Sequence, residues 1–182
     1  MTIRSRPSML AIVAAMTLLG GCAALEQRGS RAPMPDSAAQ LVDNAGADRG
    51  RVDVFRNSGG LRLEVVARGF NVGTYGMHIH AVGRCDGPDF TTAGPHWNPT
   101  GSQHGRDNPL GAHRGDLPNL VVEPGMIGQV TVSIPATALT GADGLLDSDG
   151  AALVIHAQPD DLKTDPTGNS GGRIVCGVFS AK

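Results

Sequence analysis

The chain has 182 residues, room for one domain of ordinary size with a short appendage. Its 26 glycines, 12 prolines and 18% charged residues favour short strands joined by many turns over long surface helices, so an all-β domain is the leading class. A formal net charge of -2, with no cluster of lysines or arginines, supplies no positive field for a phosphate backbone and argues against nucleic acid as a partner.

Arg4 and Arg6 form a basic head before the apolar run from Met9 to Leu19, the pattern of an export signal over residues 1–21. The run is too short to cross a bilayer, which takes about 20 apolar residues. It ends in Leu19-Gly20-Gly21-Cys22, which resembles the bacterial lipobox, in which the cysteine receives lipid and becomes the new N-terminus; a cleaved signal with an incidental cysteine is the alternative. Lipidation at Cys22 implies a protein of the cell envelope, anchored to a membrane and facing the periplasm. Residues 22–37 are small and polar, are interrupted by Pro33 and Pro35, and show no apolar period, so they read as a tether to a domain over 38–182.

Short alternating segments follow. Strands are predicted at Gln40–Asp43, Arg51–Arg56 and Leu61–Ala67, the last with Leu61, Leu63 and Val65 on one face and Arg62 and Glu64 on the other. Asn57-Ser58-Gly59-Gly60 lies between the second and third and supplies the positive φ angles of a tight antiparallel hairpin. Further strands are predicted at Tyr75–Val82, Leu120–Val122, Ile127–Ile134, Ala151–Ala157 and Arg173–Phe179. Between Gly83 and Asn119 lies a long aperiodic stretch rich in glycine, proline and histidine, which inside a compact domain needs something to hold it. Of the 3 cysteines, Cys85 and Cys176 remain as a pair if Cys22 carries lipid. Outside the cytosol a bridge closing a loop of about 90 residues forms readily and stabilises by about 3 to 5 kcal/mol.

All 6 histidines lie beyond the first three strands, at positions 78, 80, 96, 104, 113 and 156. In a strand, His78-Ile79-His80 points both rings the same way, as two ligands of one metal require. A single histidine is more often a hydrogen-bonded surface or core residue, but a cluster of them weakens that reading. His96, His104, His113 and Asp116 make a closed set of three imidazoles and one carboxylate, suited to tetrahedral zinc. His78, His80 and His156 add nitrogen ligands suited to copper, so seven candidate ligands imply two metals.

The His-X-His pair, Gly94-Pro95-His96-Trp97-Asn98-Pro99, His113-Arg114-Gly115-Asp116-Leu117 and Gly168-Asn169-Ser170-Gly171-Gly172-Arg173 followed by Cys176-Gly177 resemble the copper-zinc superoxide dismutases over roughly 38–182. The resemblance implies an eight-stranded Greek-key flattened barrel, an immunoglobulin-like sandwich, with two long metal-site loops at Gly83–Asn119 and about Gln158–Gly172. It implies copper on His78, His80, His96 and His156, zinc on His96, His104, His113 and Asp116, with His96 bridging, and a Cys85–Cys176 disulfide. Superoxide is then the small-molecule substrate, converted to dioxygen and hydrogen peroxide. Arg173 matches the family arginine that draws the anion to copper, with a solvated strand-edge arginine as the alternative. Asp160 matches the carboxylate that joins one ligand of each metal, here His78 and His104, although Asp161 beside it leaves the register open by one. Pro166 occupies the neighbourhood where some relatives carry a guiding lysine, and Lys163 is the candidate substitute beside a plainer reading as a solvated loop residue. A copper-binding module for buffering or delivery, a copper-only dismutase and a catalytically dead domain compete with the enzyme. Relatives include monomers and dimers, so a homodimer stays open.

Overall fold

The computed structural model describes residues 32–181; the leader, Cys22 and most of the predicted tether lie outside the described residues. Its strands are β1 (Ser37–Asp43), β2 (Asp48–Asn57), β3 (Gly60–Arg68), β4 (Gly73–Tyr75), β5 (Met77–His80), β6 (Leu120–Val122), β7 (Ile127–Pro135), β8 (Ala152–His156), β9 (Arg173–Val178) and β10 (Ser180–Ala181). Just before β1, the Asp36 carboxylate accepts the backbone N–H of Arg56 and pairs with its guanidinium.

Alternation builds β2, β3 and β7. Leu61, Leu63, Val65 and Ala67 of β3 face inward with Val52 and Val54 of β2, while the residues between them stay at the surface. The hairpin forms where the sequence places it, but its positive φ falls on Gly60 alone of the four turn residues. Asn57 Oδ1 accepts the Gly59 N–H at 2.8 Å, an Asx turn that needs no left-handed residue at Ser58 or Gly59. A Cβ on Gly60 would stand 2.2 Å from the Ile134 carbonyl oxygen, so close pairing with β7 also requires glycine there.

Nine strands form one hydrogen-bonded path, β4-β6-β7-β3-β2-β1-β9-β8-β5, with β10 pairing β1. The ends of this path, β4 and β5, are consecutive in the chain and separated only by Gly76, so the sheet closes into a barrel. The predicted strand Tyr75–Val82 therefore breaks at Gly76, where the chain changes partner from β6 to β8, and its ladder ends at His80. Gly76 pairs by itself, donating to Gln158 O and accepting from His156 N–H, each at 2.8 Å. The last predicted strand breaks likewise at Phe179, β9 bonding the end of β1 and β10 its start. Merged across these two bends, the ten segments are the eight strands of a Greek-key barrel.

β5 and β8 are buried on both faces, unlike the other strands. Met77, Ile79, Leu153 and Ile155 join the barrel core. Their alternates His78, His80, Ala152, Val154 and His156 face outward and are buried all the same, because the two long loops cover them.

The first loop is not structureless. Ile79 of β5 acts as its spine, donating to Gly115 O at 2.9 Å and accepting from Trp97 N–H at 2.8 Å, and Ala81 donates to Pro95 O at 2.9 Å. These bonds place His96 and Asp116 opposite His80 and His78. A second small core of Phe90, Ala93, Ala152, Val154 and Cys176 seals the start of the loop to the barrel. Cys85 and Cys176 form a disulfide there, with Cα atoms 5.8 Å apart.

Candidate metal centre

The strand period sets the first half of the site. His78 and His80 project from β5 to the same side, His156 ends the neighbouring β8, and the first loop brings His96 against them. Ring atoms of these four histidines lie within 4.8 Å of one another, and His80 Nε2 and His156 Nε2 are 3.4 Å apart. The outer nitrogens are all committed. His80 Nδ1 donates to Gly94 O at 2.8 Å, His156 Nδ1 to Gly171 O at 3.1 Å and His78 Nε2 to Asp160 Oδ2 at 2.7 Å. Each ring is thus fixed in the tautomer that turns a lone pair inward.

Burial works in the same direction. It lowers the pKa of His80 to about 2, of His156 to about 3 and of His96 to about 4, so these rings are neutral and able to ligate at any physiological pH.

The second half is organised by Asp116. Its Oδ2 accepts the backbone N–H groups of Gly105 at 2.9 Å and His113 at 3.0 Å, which leaves Oδ1 facing inward. His96 Nδ1, His104 Nδ1 and His113 Nδ1 stand 3.0, 3.0 and 3.2 Å from that oxygen, and His96 Nδ1 is 3.4 Å from His113 Nδ1. A tetrahedral ion with bonds of about 2.0–2.1 Å separates its ligand atoms by about 3.3 Å, so this spacing fits zinc. Three buried ring nitrogens, His78 Nδ1, His96 Nε2 and His104 Nδ1, have no hydrogen-bond partner. His104 Nδ1 is close to a carboxylate oxygen without the alignment of a hydrogen bond. Buried polar atoms left unpaired are costly, and a metal in each set would satisfy all three.

Asp160, 4% exposed, lies behind both sets, with Oδ2 on His78 Nε2 and Oδ1 3.1 Å from His104 Nε2. Burial disfavours its charge, yet hydrogen bonds from His104 and His78 hold the carboxyl well below the usual range. On His104 the balance is reversed: burial opposes the charge, but the Asp116 carboxylate 3.0 Å from Nδ1 and the Asp160 carboxylate hydrogen-bonded to Nε2 raise its pKa to about 9. Asp161 faces solvent and caps the second loop through Thr164 and Asn169, so the register left open by the sequence falls on Asp160. Arg173 opens β9, with Nη1 on Phe90 O and Nη2 on Gly94 O, each at 2.8 Å. Lys163 is exposed in the second loop and makes no ion pair among the described residues.

Several supporting residues escaped sequence reasoning. Asn119 brackets Asp160, its Nδ2 donating to Asp160 O and its Oδ1 accepting Asp160 N–H, each at 2.8 Å. Gly168 has φ +61, and a Cβ there would stand 1.8 Å from Asp160 Oδ1 and 2.6 Å from His104 Nε2. Gly168 belongs to the glycine-rich segment before Arg173, so a signal existed; Asn119 stands at a loop end with none. The Gly94 carbonyl serves both His80 and Arg173, and no side-chain pattern announces it.

Residues 49–179 match the family model of copper/zinc superoxide dismutase. The superoxide dismutase-like protein YojM of Bacillus subtilis is 44% identical over 146 residues, which covers 77% of this chain and 74% of that one. A copper-zinc superoxide dismutase of Aquifex aeolicus is 38% identical over 144 residues, 78% of this chain and 84% of the relative. Among solved structures, a dismutase-like protein from Bacillus subtilis superposes with a TM-score of 0.74 at 41% identity, covering 78% of this chain and 96% of that one. Copper and zinc are the metals of this family, and the two convergent sets fit them: the chain belongs to the copper-zinc superoxide dismutases.

Proposed function

We propose that this protein dismutates superoxide, taking two superoxide anions and two protons to dioxygen and hydrogen peroxide. His78, His80, His96 and His156 hold copper, and His96, His104, His113 and Asp116 hold zinc. The observation that carries this reading is the shared ring: His96 puts Nδ1 into the cluster around Asp116, while its Nε2 is buried without a partner beside the other three histidines.

Copper held by these four histidines would supply the one-electron chemistry of the reaction. The chain supplies orientation, charge and protons. Gly94 O, Gly171 O and Asp160 lock the three outer rings, so only lone pairs face the metal. His96 Nε2 is the atom placed to carry a proton toward peroxide, while Nδ1 keeps the ring in register. Arg173 is held by two carbonyl oxygens, which points a fixed positive group into the cavity that His96 also lines.

A second reading, copper binding without turnover, is favoured by the name of the YojM relative, which calls it only dismutase-like. The full ligand sets and Arg173 favour the enzyme. Protein loaded with one copper and one zinc should consume superoxide; full loading without consumption would leave the binding module. The lipobox supports an envelope address, with lipid on Cys22 and the domain facing the periplasm. Cys22→Ser should move the protein from the membrane to the soluble fraction, since about 0.8 kcal/mol per buried methylene is lost with the acyl chains. Unchanged fractionation would refute the anchor.

A further inference from the structure

Phe90 holds a backbone conformation that its side chain disfavours. It is left-handed, with φ 55 and ψ 24, where a Cβ crowds the following carbonyl and glycine is the ordinary choice. The ring is 2% exposed and packs in the small core of Ala93, Ala152, Val154 and Cys176, with Cys85 of the disulfide beside it. A residue of this kind stays left-handed only where its surroundings fix it, and the buried ring supplies that anchor.

One turn of 3₁₀ helix, Thr91–Ala93, separates Phe90 from Gly94, whose φ of 75 is left-handed too. The carbonyls on either side of this turn both face Arg173, Phe90 O accepting from Nη1 and Gly94 O from Nη2, each at 2.8 Å. Arg173 makes no other side-chain hydrogen bond and no ion pair among the described residues, so these two oxygens hold its guanidinium. Gly94 O is also fixed by His80 Nδ1 at 2.8 Å. Phe90 O is joined otherwise only to the Ala93 N–H of its own turn, at 3.1 Å, so its direction depends on where the ring anchors the chain. Arg173 and His96 line one cavity of about 550 Å³, which Phe90 does not line.

We propose that Phe90 is the positioning residue for Arg173: its ring, seated beside the disulfide, holds a left-handed backbone whose carbonyl aims the guanidinium at an anion entering the His96 cavity. The proposal rests on the reading that the four histidines hold copper. Anion affinity at copper then depends on an apolar side chain that is outside the anion's cavity, and that dependence runs entirely through Arg173.

Azide titration of the copper absorption band reads anion affinity without turnover. The copper- and zinc-loaded protein is compared with Phe90→Gly, Phe90→Leu, Arg173→Ala, and Phe90→Gly combined with Arg173→Ala. Glycine suits the left-handed backbone but has no anchor, so Phe90→Gly should bind azide about three- to tenfold more weakly with copper and zinc still in place. Leucine restores an apolar anchor, and Phe90→Leu should stay within about twofold of the native protein. Once Arg173 is alanine, adding Phe90→Gly should change azide affinity by less than about twofold. If Phe90→Gly does not load both metals, Phe90→Ala, which leaves the backbone less free, takes its place in the cycle. Equal losses with and without Arg173 would make Phe90 a packing residue only and overturn the proposal, as would native azide affinity in the variant that lacks the ring. If the azide cycle comes out as stated but superoxide is not consumed, the dismutase reading fails and the role of Phe90 stands.

Discussion

The two halves of the centre are held by different means. His78, His80 and His156 stand on β5 and β8, adjacent ladder strands whose opposite faces are part of the barrel core, so their spacing is set by strand geometry. His104, His113 and Asp116 stand on one long loop and are set by discrete pins: the Ile79 bonds, the disulfide, Asp160, and the two N–H groups on Asp116 Oδ2. A site carried by a ladder resists loss of any one contact, whereas a pinned site does not. Damage to the pins should therefore fall on zinc before copper.

The largest effect is expected from the disulfide. Replacing Cys85 and Cys176 together by alanine frees the start of the first loop from β9 and should cost about 3 to 5 kcal/mol of stability. Thermal melting of the metal-loaded protein should show a clear drop, with zinc released at a lower temperature than copper. Simultaneous loss of both metals would mean that the halves are not independently held.

Asp160→Asn tests the comparison more sharply, because Asp160 touches a ring from each half. Asn keeps the shape but offers only one acceptor oxygen and no charge. Zinc affinity should fall about 10- to 100-fold, while copper remains bound through a ring that β5 still orients. Asp161→Asn, at the exposed neighbour, should leave zinc competition against a chelator unchanged. Equal weakening of copper and zinc in Asp160→Asn would remove the distinction between ladder and pins.

The same distinction explains how much could be read in advance. His78-Ile79-His80 and the alternation of Leu61, Leu63 and Val65 are local patterns of period two, and both faces came out as expected. The seven candidate ligands and Arg173 also converge, since their identities mark them. The bend at Gly76 was not legible, because the change of partner from β6 to β8 depends on strands far along the chain. Nor was the Asn119 bracket on Asp160, which joins residues 41 apart. The carbonyls of Gly94 and Gly171 orient two rings through backbone atoms that every residue possesses. Ligand chemistry has a side-chain signature; the pins that aim it largely do not.

The smallest effect should come from Asp165, a second carboxylate behind the zinc half that resembles Asp160 in kind but not in environment. Its Oδ1 accepts the backbone N–H of His104 and lies 3.9 Å from His113 Nε2. The Asp165 side chain is 48% exposed, whereas that of Asp160 is 1% exposed. Water and salt screen an exposed charge, and such pairs contribute about 0 to 1 kcal/mol, against the much larger value of a carboxylate shielded by protein. Asp165→Asn also keeps an acceptor for the His104 N–H, so only the weak charge effect on His113 is lost. Zinc affinity should therefore fall by less than about fivefold, with copper unaffected. A loss as large as that of Asp160→Asn would show that the second loop holds zinc by charge rather than by buried hydrogen bonds, and the ranking of pins by burial would have to be abandoned.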